Sequence, residues 1–235
     1  MVTDDGVRLE GHRLGHGSVA VVFCHGFLGW HRKGRLVRFQ EELAREFAVY
    51  AFDLRGHGRS GGVTGFGQRE HHDVEAVVRL ARAEGHGCVV TFGASMGGIA
   101  VIGHAAQAGG VQAVVAVSTP ARWGGHETAA ARRLLRLTGT RPGRSLLRAW
   151  GVRLPTDWEP GTEPADLVSR VAPIPLILVH GEDDHFFDVE QARTLYGRAR
   201  RPKRLLLASR FGHAEDGFTP PFARRVARLV REALA

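Results

Sequence analysis

With 235 residues and 43% hydrophobic side chains, the chain is long enough to form one domain with a full core. No apolar run approaches the roughly 18 residues of a membrane-spanning helix, and Met1 to Gly6 lack the basic and apolar regions of a secretory signal, so we expect a cytoplasmic protein. The formal net charge is +8, and nearly all of the basic residues are arginines, a bias typical of high-GC coding. Because the sequence contains no helix-turn-helix, zinc-knuckle or RNA-recognition motif, we expect no nucleic-acid partner.

Short apolar runs alternate with amphipathic segments along most of the chain, which predicts a doubly wound, mostly parallel α/β sheet with helices on both faces. An alternating strand is predicted from Val7 to Leu14, after the hairpin signal Asp5-Gly6. Further strands are predicted at 19–24, 48–52, 88–92, 113–118, 174–180 and 203–208. Helices are predicted at 35–47, 69–84, 98–108, 190–199 and 222–234. Cys24 and Cys88 fall in or beside core strands and are predicted to be buried free thiols.

Residues 120–172 interrupt this alternation and are predicted to form a small helical lid, inserted between the core segments 1–119 and 173–235. Helix-like stretches at 129–137 and 145–150 are separated by glycine and proline, and the arginines around them, with Glu127 as the one nearby acid, are expected to form a solvated face. The leucines and tryptophans of the lid either line an apolar acyl pocket or only pack the lid onto the core. The residues predicted to contact a substrate are Leu28, Trp123, Leu134, Leu135 and Trp150.

The residues Gly93-Ala94-Ser95-Met96-Gly97 match the pattern G-x-S-x-G between a predicted buried strand and a predicted helix. In that setting the serine lies at the apex of a sharp turn, in a strained backbone conformation that exposes its hydroxyl. Strand and helix pass close together there, which glycines at 93, 97 and 98 permit because they have no side chain. The pattern predicts a nucleophilic Ser95, and the alternative is a turn of small residues without chemistry.

Four more segments with polar residues directly follow predicted strands, at the edge where open α/β sheets bind ligands. They are His-Gly-Phe-Leu-Gly at 25–29, Asp-Leu-Arg-Gly-His-Gly-Arg-Ser at 53–60, His-Gly-Glu-Asp-Asp at 180–184 and Phe-Gly-His at 211–213. The order of nucleophile, acid and histidine along the chain resembles that of the α/β-hydrolase superfamily, and the resemblance covers most of the chain. The first two segments, with a compact lid, look most like serine carboxylesterases and feruloyl-esterase-like proteins.

The resemblance implies a catalytic triad of Ser95, Asp184 and His213. A serine hydroxyl is a weak nucleophile until a base takes its proton, and a carboxylate must orient that base, which are the roles implied for His213 and Asp184. The family spacing G-x-x-D, counted from Gly181, selects Asp184, and Asp183 is the alternative.

The resemblance further implies an oxyanion hole made of the backbone amides of Phe27 and Met96. His25, in the same loop as Phe27, is interpreted as a structural hydrogen-bonding residue and not as an acid or base.

The expected reaction is hydrolysis of a small-molecule carboxylic ester or thioester through an acyl-Ser95 intermediate. Carbon–carbon bond hydrolysis, perhydrolysis and acyl transfer use the same residues and stay as alternatives, and a non-catalytic ligand-binding protein of the same fold is an alternative of another class. No metal or other cofactor is expected, because the sequence contains neither H-E-x-x-H nor C-x-x-C.

Overall fold

Seven strands form a single sheet in the computed structural model, which describes residues 1–123 and 128–235. The strands are β1 (Gly11–Leu14), β2 (Val19–Cys24), β3 (Ala48–Phe52), β4 (Cys88–Ala94), β5 (Ala113–Val117), β6 (Leu176–Gly181) and β7 (Lys203–Ala208). Their order across the sheet is β1-β3-β2-β4-β5-β6-β7, with β1 antiparallel to β3 and every other pair parallel. Strands β3, β5 and β6 are buried at every position, as strands covered on both faces must be.

Helices cover both faces of this sheet. They are α1 (Gly34–Leu43), α2 (His71–Ala83), α3 (Met96–Gln107), α4 (Ala129–Gly139), α5 (Arg141–Ala149), α6 (Pro164–Leu167), α7 (Val189–Arg198) and α8 (Pro220–Leu234). On one face α1 and α8 pack together, with the rings of Phe39 and Phe222 5.8 Å apart. On the other face α2 and α3 bury Val74 and Ala100 completely. The predicted doubly wound α/β fold is confirmed, and no helix of the described residues is both long and apolar enough to cross a membrane.

Two predicted elements begin or end four residues inside their predicted bounds. The strand predicted at 7–14 begins only at Gly11, because Val2 and Arg8 form an isolated antiparallel bridge around a turn in which the Thr3 amide donates to the Val7 carbonyl at 2.9 Å. The helix predicted at 35–47 ends at Leu43, and the buried Phe47 belongs to the turn that leads into β3. Both errors concern element ends, where local turns compete with the periodic pattern.

Both cysteines are free, but only Cys24 is fully buried and Cys88 is half-buried, which corrects the prediction for Cys88. In the β2–β4 pair, Val19 lies opposite Cys88 and Cys24 lies opposite Gly93, so the thiols occupy opposite ends of neighbouring strands. Five residues of extended chain separate them by roughly 16 Å, far beyond the reach of a disulfide. Burial raises the pKa of Cys24 well above its ordinary value.

The described part of segment 120–172 contains α4, α5 and α6. Thr128 accepts a hydrogen bond from the Ala131 amide at the start of α4, and Thr140 does the same for Gly143 at the start of α5. Arg153 then ties the segment to the core, because its guanidinium donates to the carbonyls of residues 58, 60 and 62. Residues 124–127, which include Glu127, lie outside the described residues.

A buried ion cluster fixes the N-terminal hairpin to the polar segment that follows β3. The Arg55 side chain is 2% exposed and donates to both carboxylate oxygens of Asp5, at 2.6 and 2.8 Å. Its Nε donates to Asp73 on α2 at 2.8 Å. The hydrogen bonds from Arg55 outweigh the effect of burial and hold the pKa of Asp5 well below its ordinary value.

We expect Asp5→Asn to lower the free energy of unfolding at pH 7 by about 1 kcal/mol, since the Asp5 side chain is partly reached by water. The pKa of Asp5 is lower in the folded than in the unfolded protein, where it is about 3.9. The Asp5 carboxylate therefore stabilises the folded state at pH values above about 3.9, and this contribution is lost as the pH falls below that value. Urea unfolding at pH 7 and pH 3 should therefore show a smaller difference between variant and wild type at pH 3. Asp4→Asn, at the more exposed Asp4, is the matched control, and an equal loss in both variants would contradict the prediction.

Candidate active site

Ser95 lies at a sharp turn between β4 and α3, in a backbone conformation that side chains rarely adopt. Its φ is +53° and its ψ is −113°, and its amide donates to the Val117 carbonyl of β5 at 2.8 Å. Gly93 and Gly97 make the turn possible: a Cβ on Gly93 would lie 2.2 Å from the Gly97 carbonyl oxygen, and one on Gly97 would lie 2.5 Å from that of Cys24. The turn holds Ser95 half-buried, at the carboxyl edge of the sheet.

We expect Gly97→Ala to lower the free energy of unfolding by about 1 to 3 kcal/mol, because the added Cβ meets backbone atoms that cannot rotate away. Chemical denaturation measures this loss directly. Gly197→Ala on α7 is the control, since its Cβ meets nothing within 4 Å and the change favours a helix. Equal stability of the Gly97→Ala variant and wild type would show that the turn is looser than described.

Asp184 and His213 form a hydrogen-bonded pair across the loops that follow β6 and β7. His213 Nδ1 lies 2.8 Å from Asp184 Oδ2 and 3.0 Å from Oδ1, and the Asp184 side chain is completely buried. Asp184 Oδ1 also accepts from the amides of Phe186 and Phe187, at 2.9 and 3.0 Å. Burial acts to raise the pKa of Asp184, but the hydrogen bonds from His213 and the two amides outweigh it, so the pKa lies below its ordinary value. The neighbouring Asp183 is exposed and contributes its amide to the Phe211 carbonyl.

The contact with Asp184 places the proton of a neutral His213 on Nδ1 and leaves Nε2 as the basic nitrogen. The backbone around His213 is anchored on both sides, since its amide donates to Asp216 and the next amide, of Ala214, donates to the Ser118 hydroxyl at 3.0 Å. Ser95 and His213 both line one cavity, so the structure brings all three predicted triad residues to a single site.

The loop 25–29 lies directly beside Ser95, and a Cβ on Gly26 would come within 3.4 Å of the serine Cβ. His25 Nε2 accepts from the Leu54 amide at 3.0 Å and Nδ1 donates to the Gly26 carbonyl at 2.7 Å, which fixes the peptide group that carries the Phe27 amide. His57 donates to the Phe27 carbonyl at 2.6 Å. Burial, reinforced by the neighbouring His57, lowers the pKa of His25 to about 3. His25 is therefore a neutral, structural hydrogen-bonding residue, as its sequence context predicted.

Two cavities adjoin Ser95. The larger, of about 420 Å³, is lined by three of the predicted substrate-contacting residues, Trp123, Leu134 and Leu135. The smaller, of about 220 Å³, is lined by a fourth, Leu28. Trp150, also predicted to contact a substrate, lies just past the end of α5, is 53% exposed and lines neither cavity, while Leu147 of that helix packs inward.

Sequence reasoning missed most of the aromatic wall of the larger cavity. Phe66 stacks on Phe27 with ring centroids 5.2 Å apart, and Trp158 meets Phe66 edge-on at 5.1 Å. Phe186 and Phe187 lie against His213, at 4.8 and 5.3 Å. The phenylalanine pair could have been found from its position two and three residues after Asp184, whereas nothing local marks Phe66 or Trp158.

Several histidines outside this site, among the described residues, make structural contacts. His71 Nδ1 donates to the Gln68 carbonyl at 2.6 Å, and the adjacent Asp73 carboxylate is occupied by Arg55. In the part of the chain that the structure describes, no three His, Cys, Asp or Glu side chains are grouped as a metal ion would require.

A doubly wound sheet with a serine at the strained turn after β4 and an Asp–His pair after β6 and β7 is the arrangement of an α/β hydrolase. Residues 21–234 match the model of the alpha/beta hydrolase family, and the chain belongs to that family. A curated relative, the uncharacterized protein YfhR of Escherichia coli O157:H7, is 29% identical over 217 residues, which are 86% of this chain and 68% of the relative.

Solved structures share the fold. The esterase Pf2001 of Pyrococcus furiosus has a TM-score of 0.77 and 21% identity, covering 100% of this chain and 91% of that chain. The esterase RhEst1 of Rhodococcus sp. ECU1013 has a TM-score of 0.78 and 20% identity, covering 98% and 97%. At such identities the similarity concerns the fold.

Proposed function

We propose that the protein is a serine hydrolase that cleaves a carboxylic ester through an acyl-Ser95 intermediate. The observation that carries this proposal is the buried Asp184 carboxylate 2.8 Å from His213, which lines the same cavity as a serine held at a strained turn. A strained backbone at a serine lowers the stability of a protein, and so does a buried carboxylate. Such features are typical of catalytic sites, where they serve the reaction. The esterases among the solved structures of the same fold support the same reaction class.

In the proposed mechanism His213 Nε2 takes the proton from the Ser95 hydroxyl as its oxygen attacks the carbonyl carbon of the ester. The resulting negative oxygen accepts from the amides of Phe27 and Met96. His213 then passes the proton to the leaving alcohol, and a water molecule, activated by the same nitrogen, hydrolyses the acyl-enzyme. Asp184 holds the imidazole in position and stabilises its positive charge throughout.

The Phe27 amide is well suited to this role because the peptide groups before and after Phe27 are both held by hydrogen bonds. His25 donates to the carbonyl of the first group, and His57 donates to the carbonyl of Phe27 itself. Fixed donors stabilise a transition state without a cost of reorganisation.

A thioester would follow the same route, and carbon–carbon bond hydrolysis, perhydrolysis and acyl transfer stay as alternatives that the same residues can serve. A non-catalytic ligand-binding role is the alternative of another class. A fluorophosphonate probe separates it from every serine mechanism: we expect the probe to label Ser95, identified by mass spectrometry of the labelled peptide. A folded protein that resists labelling supports the binding role. Turnover of p-nitrophenyl esters of graded chain length then tests ester hydrolysis itself.

We expect the logarithm of kcat/KM to fall by one unit per pH unit in the acidic range down to about pH 4.5, because one group, the His213 imidazole, must be neutral to act as base. Asp184 adds no second step in this window, since its lowered pKa keeps it ionised there. A pH–rate profile measured with a fluorogenic ester, with circular dichroism to verify folding, checks the slope. A flat profile down to pH 4 contradicts a histidine base, and a slope of two contradicts a permanently ionised Asp184.

A further inference from the structure

The two cavities beside Ser95 differ in their size and in the number of ionisable side chains on their walls. The walls of the larger one are mostly aromatic and aliphatic. The smaller one is also bounded by apolar side chains such as Leu28, but it has four ionisable side chains besides His213, namely Lys33, His185, Glu215 and Asp216. An ester has two unlike halves, so the question is which half each cavity holds.

The position of His213 decides the orientation. In the proposed mechanism the leaving oxygen takes its proton from His213, so the leaving group must lie on the histidine side of the reacting carbon. His213 lines the smaller cavity and not the larger one, whereas Met96, whose amide is a proposed oxyanion donor, lines only the larger one. The acyl group therefore points into the larger cavity, and the alcohol points into the smaller one.

The larger cavity suits a bulky apolar group. Its aromatic wall is continuous from Phe27 through Phe66 and Trp158 to Trp123, with successive ring centroids 5.2, 5.1 and 5.8 Å apart. The indole N–H groups of both tryptophans donate to backbone carbonyls, at 3.1 and 3.3 Å, so the faces of these rings are held in place. A volume of about 420 Å³ leaves room for a bicyclic ring.

The smaller cavity suits a short polar group. Lys33 and Glu215 pair at 2.8 Å on its wall, with the Glu215 side chain 17% exposed, and His185 lies 3.7 Å from Asp216. These side chains offer both donors and acceptors to a hydroxyl group.

We propose that the natural substrate joins a bulky apolar acyl group to a small, hydroxyl-bearing alcohol. This proposal rests on the ester hydrolysis proposed above and assigns its two substrate halves to the two cavities.

An isomeric pair of alkyl esters tests the orientation. Methyl 2-naphthylacetate and 2-naphthylmethyl acetate contain the same atoms, but the naphthyl ring is on the acyl side in the first and on the alcohol side in the second. We expect kcat/KM, divided by the rate constant for hydroxide hydrolysis, to favour the first ester by at least about tenfold. Equal or reversed preference overturns the proposal while leaving ester hydrolysis intact. Absence of turnover of both esters, together with no fluorophosphonate label on Ser95, instead overturns the proposed function.

Ala131 on α4 offers a way to fill the larger cavity alone, since it lines that cavity and not the smaller one. Ala131→Phe should lower kcat/KM for methyl 2-naphthylacetate by at least about tenfold and affect methyl acetate much less. Ala129→Phe, at an exposed position of the same helix, is the matched control and should change neither. Equal losses on both esters, or no loss on either, would contradict the assignment of the acyl group to this cavity.

The polar half is tested by 2-hydroxyethyl and propyl esters of 2-naphthylacetic acid, whose alcohols have the same length. We expect the hydroxyethyl ester to be preferred by about fivefold in kcat/KM after correction for hydroxide hydrolysis, and Lys33→Met to remove that preference. Arg38→Met, at an exposed position of α1, is the control and should retain it. A wild-type preference for the propyl ester overturns the polar assignment.

Discussion

Ser95→Ala is expected to lower kcat for p-nitrophenyl esters by about 10⁶-fold, to the level left by the remaining parts of the site. Without the hydroxyl there is no acyl-enzyme, and the base His213 has no proton to take. The alanine methyl group fits the turn as the serine side chain does, so the variant should fold. Steady-state hydrolysis with purified protein measures the loss, and a burst of p-nitrophenol seen only in wild type would reveal the intermediate directly.

Ser145→Ala, at an exposed position of α5, is the control for this substitution and should keep wild-type turnover. Substantial hydrolysis by Ser95→Ala would mean that another group is the nucleophile, and the proposed mechanism would then fail at its first step.

Asp184→Asn is expected to lower kcat by about 10⁴-fold, because an amide cannot stabilise the histidinium and favours the wrong tautomer of His213. The buried Asp184 carboxylate accepts from His213 and from two backbone amides, so the substitution also places an amide N–H₂ where only acceptors are wanted. The measurement is kcat for a fluorogenic ester at pH 8, with labelling by a fluorophosphonate as a second readout of nucleophilicity.

The adjacent Asp183 provides a matched control of identical chemistry. Its side chain is exposed, so Asp183→Asn should change kcat by less than about twofold. The reverse pattern, with a large loss from Asp183→Asn and little from Asp184→Asn, would transfer the role of the acid to Asp183.

The elements that carry the candidate site were predictable because their signals are local. Buried strands such as β2 and β5 are short apolar runs, and the turn at Ser95 requires small residues at fixed offsets, so both are visible within ten residues of sequence. The rule that ligands bind at the carboxyl edge of a parallel sheet then predicts that the loops after β4, β6 and β7 lie together. His25 was likewise interpretable, since a histidine beside a tight loop tends to serve the loop's own backbone.

The substrate cavity was much less predictable. Phe66 and Trp158 meet at 5.1 Å although 91 residues of chain and several elements lie between them, and Trp150, which looked equally suitable, is half exposed. Whether an apolar residue of such a segment enters a cavity or stays in solvent depends on how the segment packs against the rest of the protein. The periodicity of the sequence does not encode that packing.

By itself, then, the sequence predicted the α/β hydrolase fold, the order of strands and helices along the chain, and the residue types that lie at one edge of the sheet. Hydrophobic period and turn chemistry are properties of neighbouring residues, which is why these features could be predicted. Only the tertiary structure joined His213 to Asp184 and left Asp183 exposed, built the aromatic wall around Phe66 and Trp158, and placed charged side chains on the other side of Ser95. Those contacts join segments far apart in the chain, and their geometry is set by the packing of whole elements and not by any local pattern.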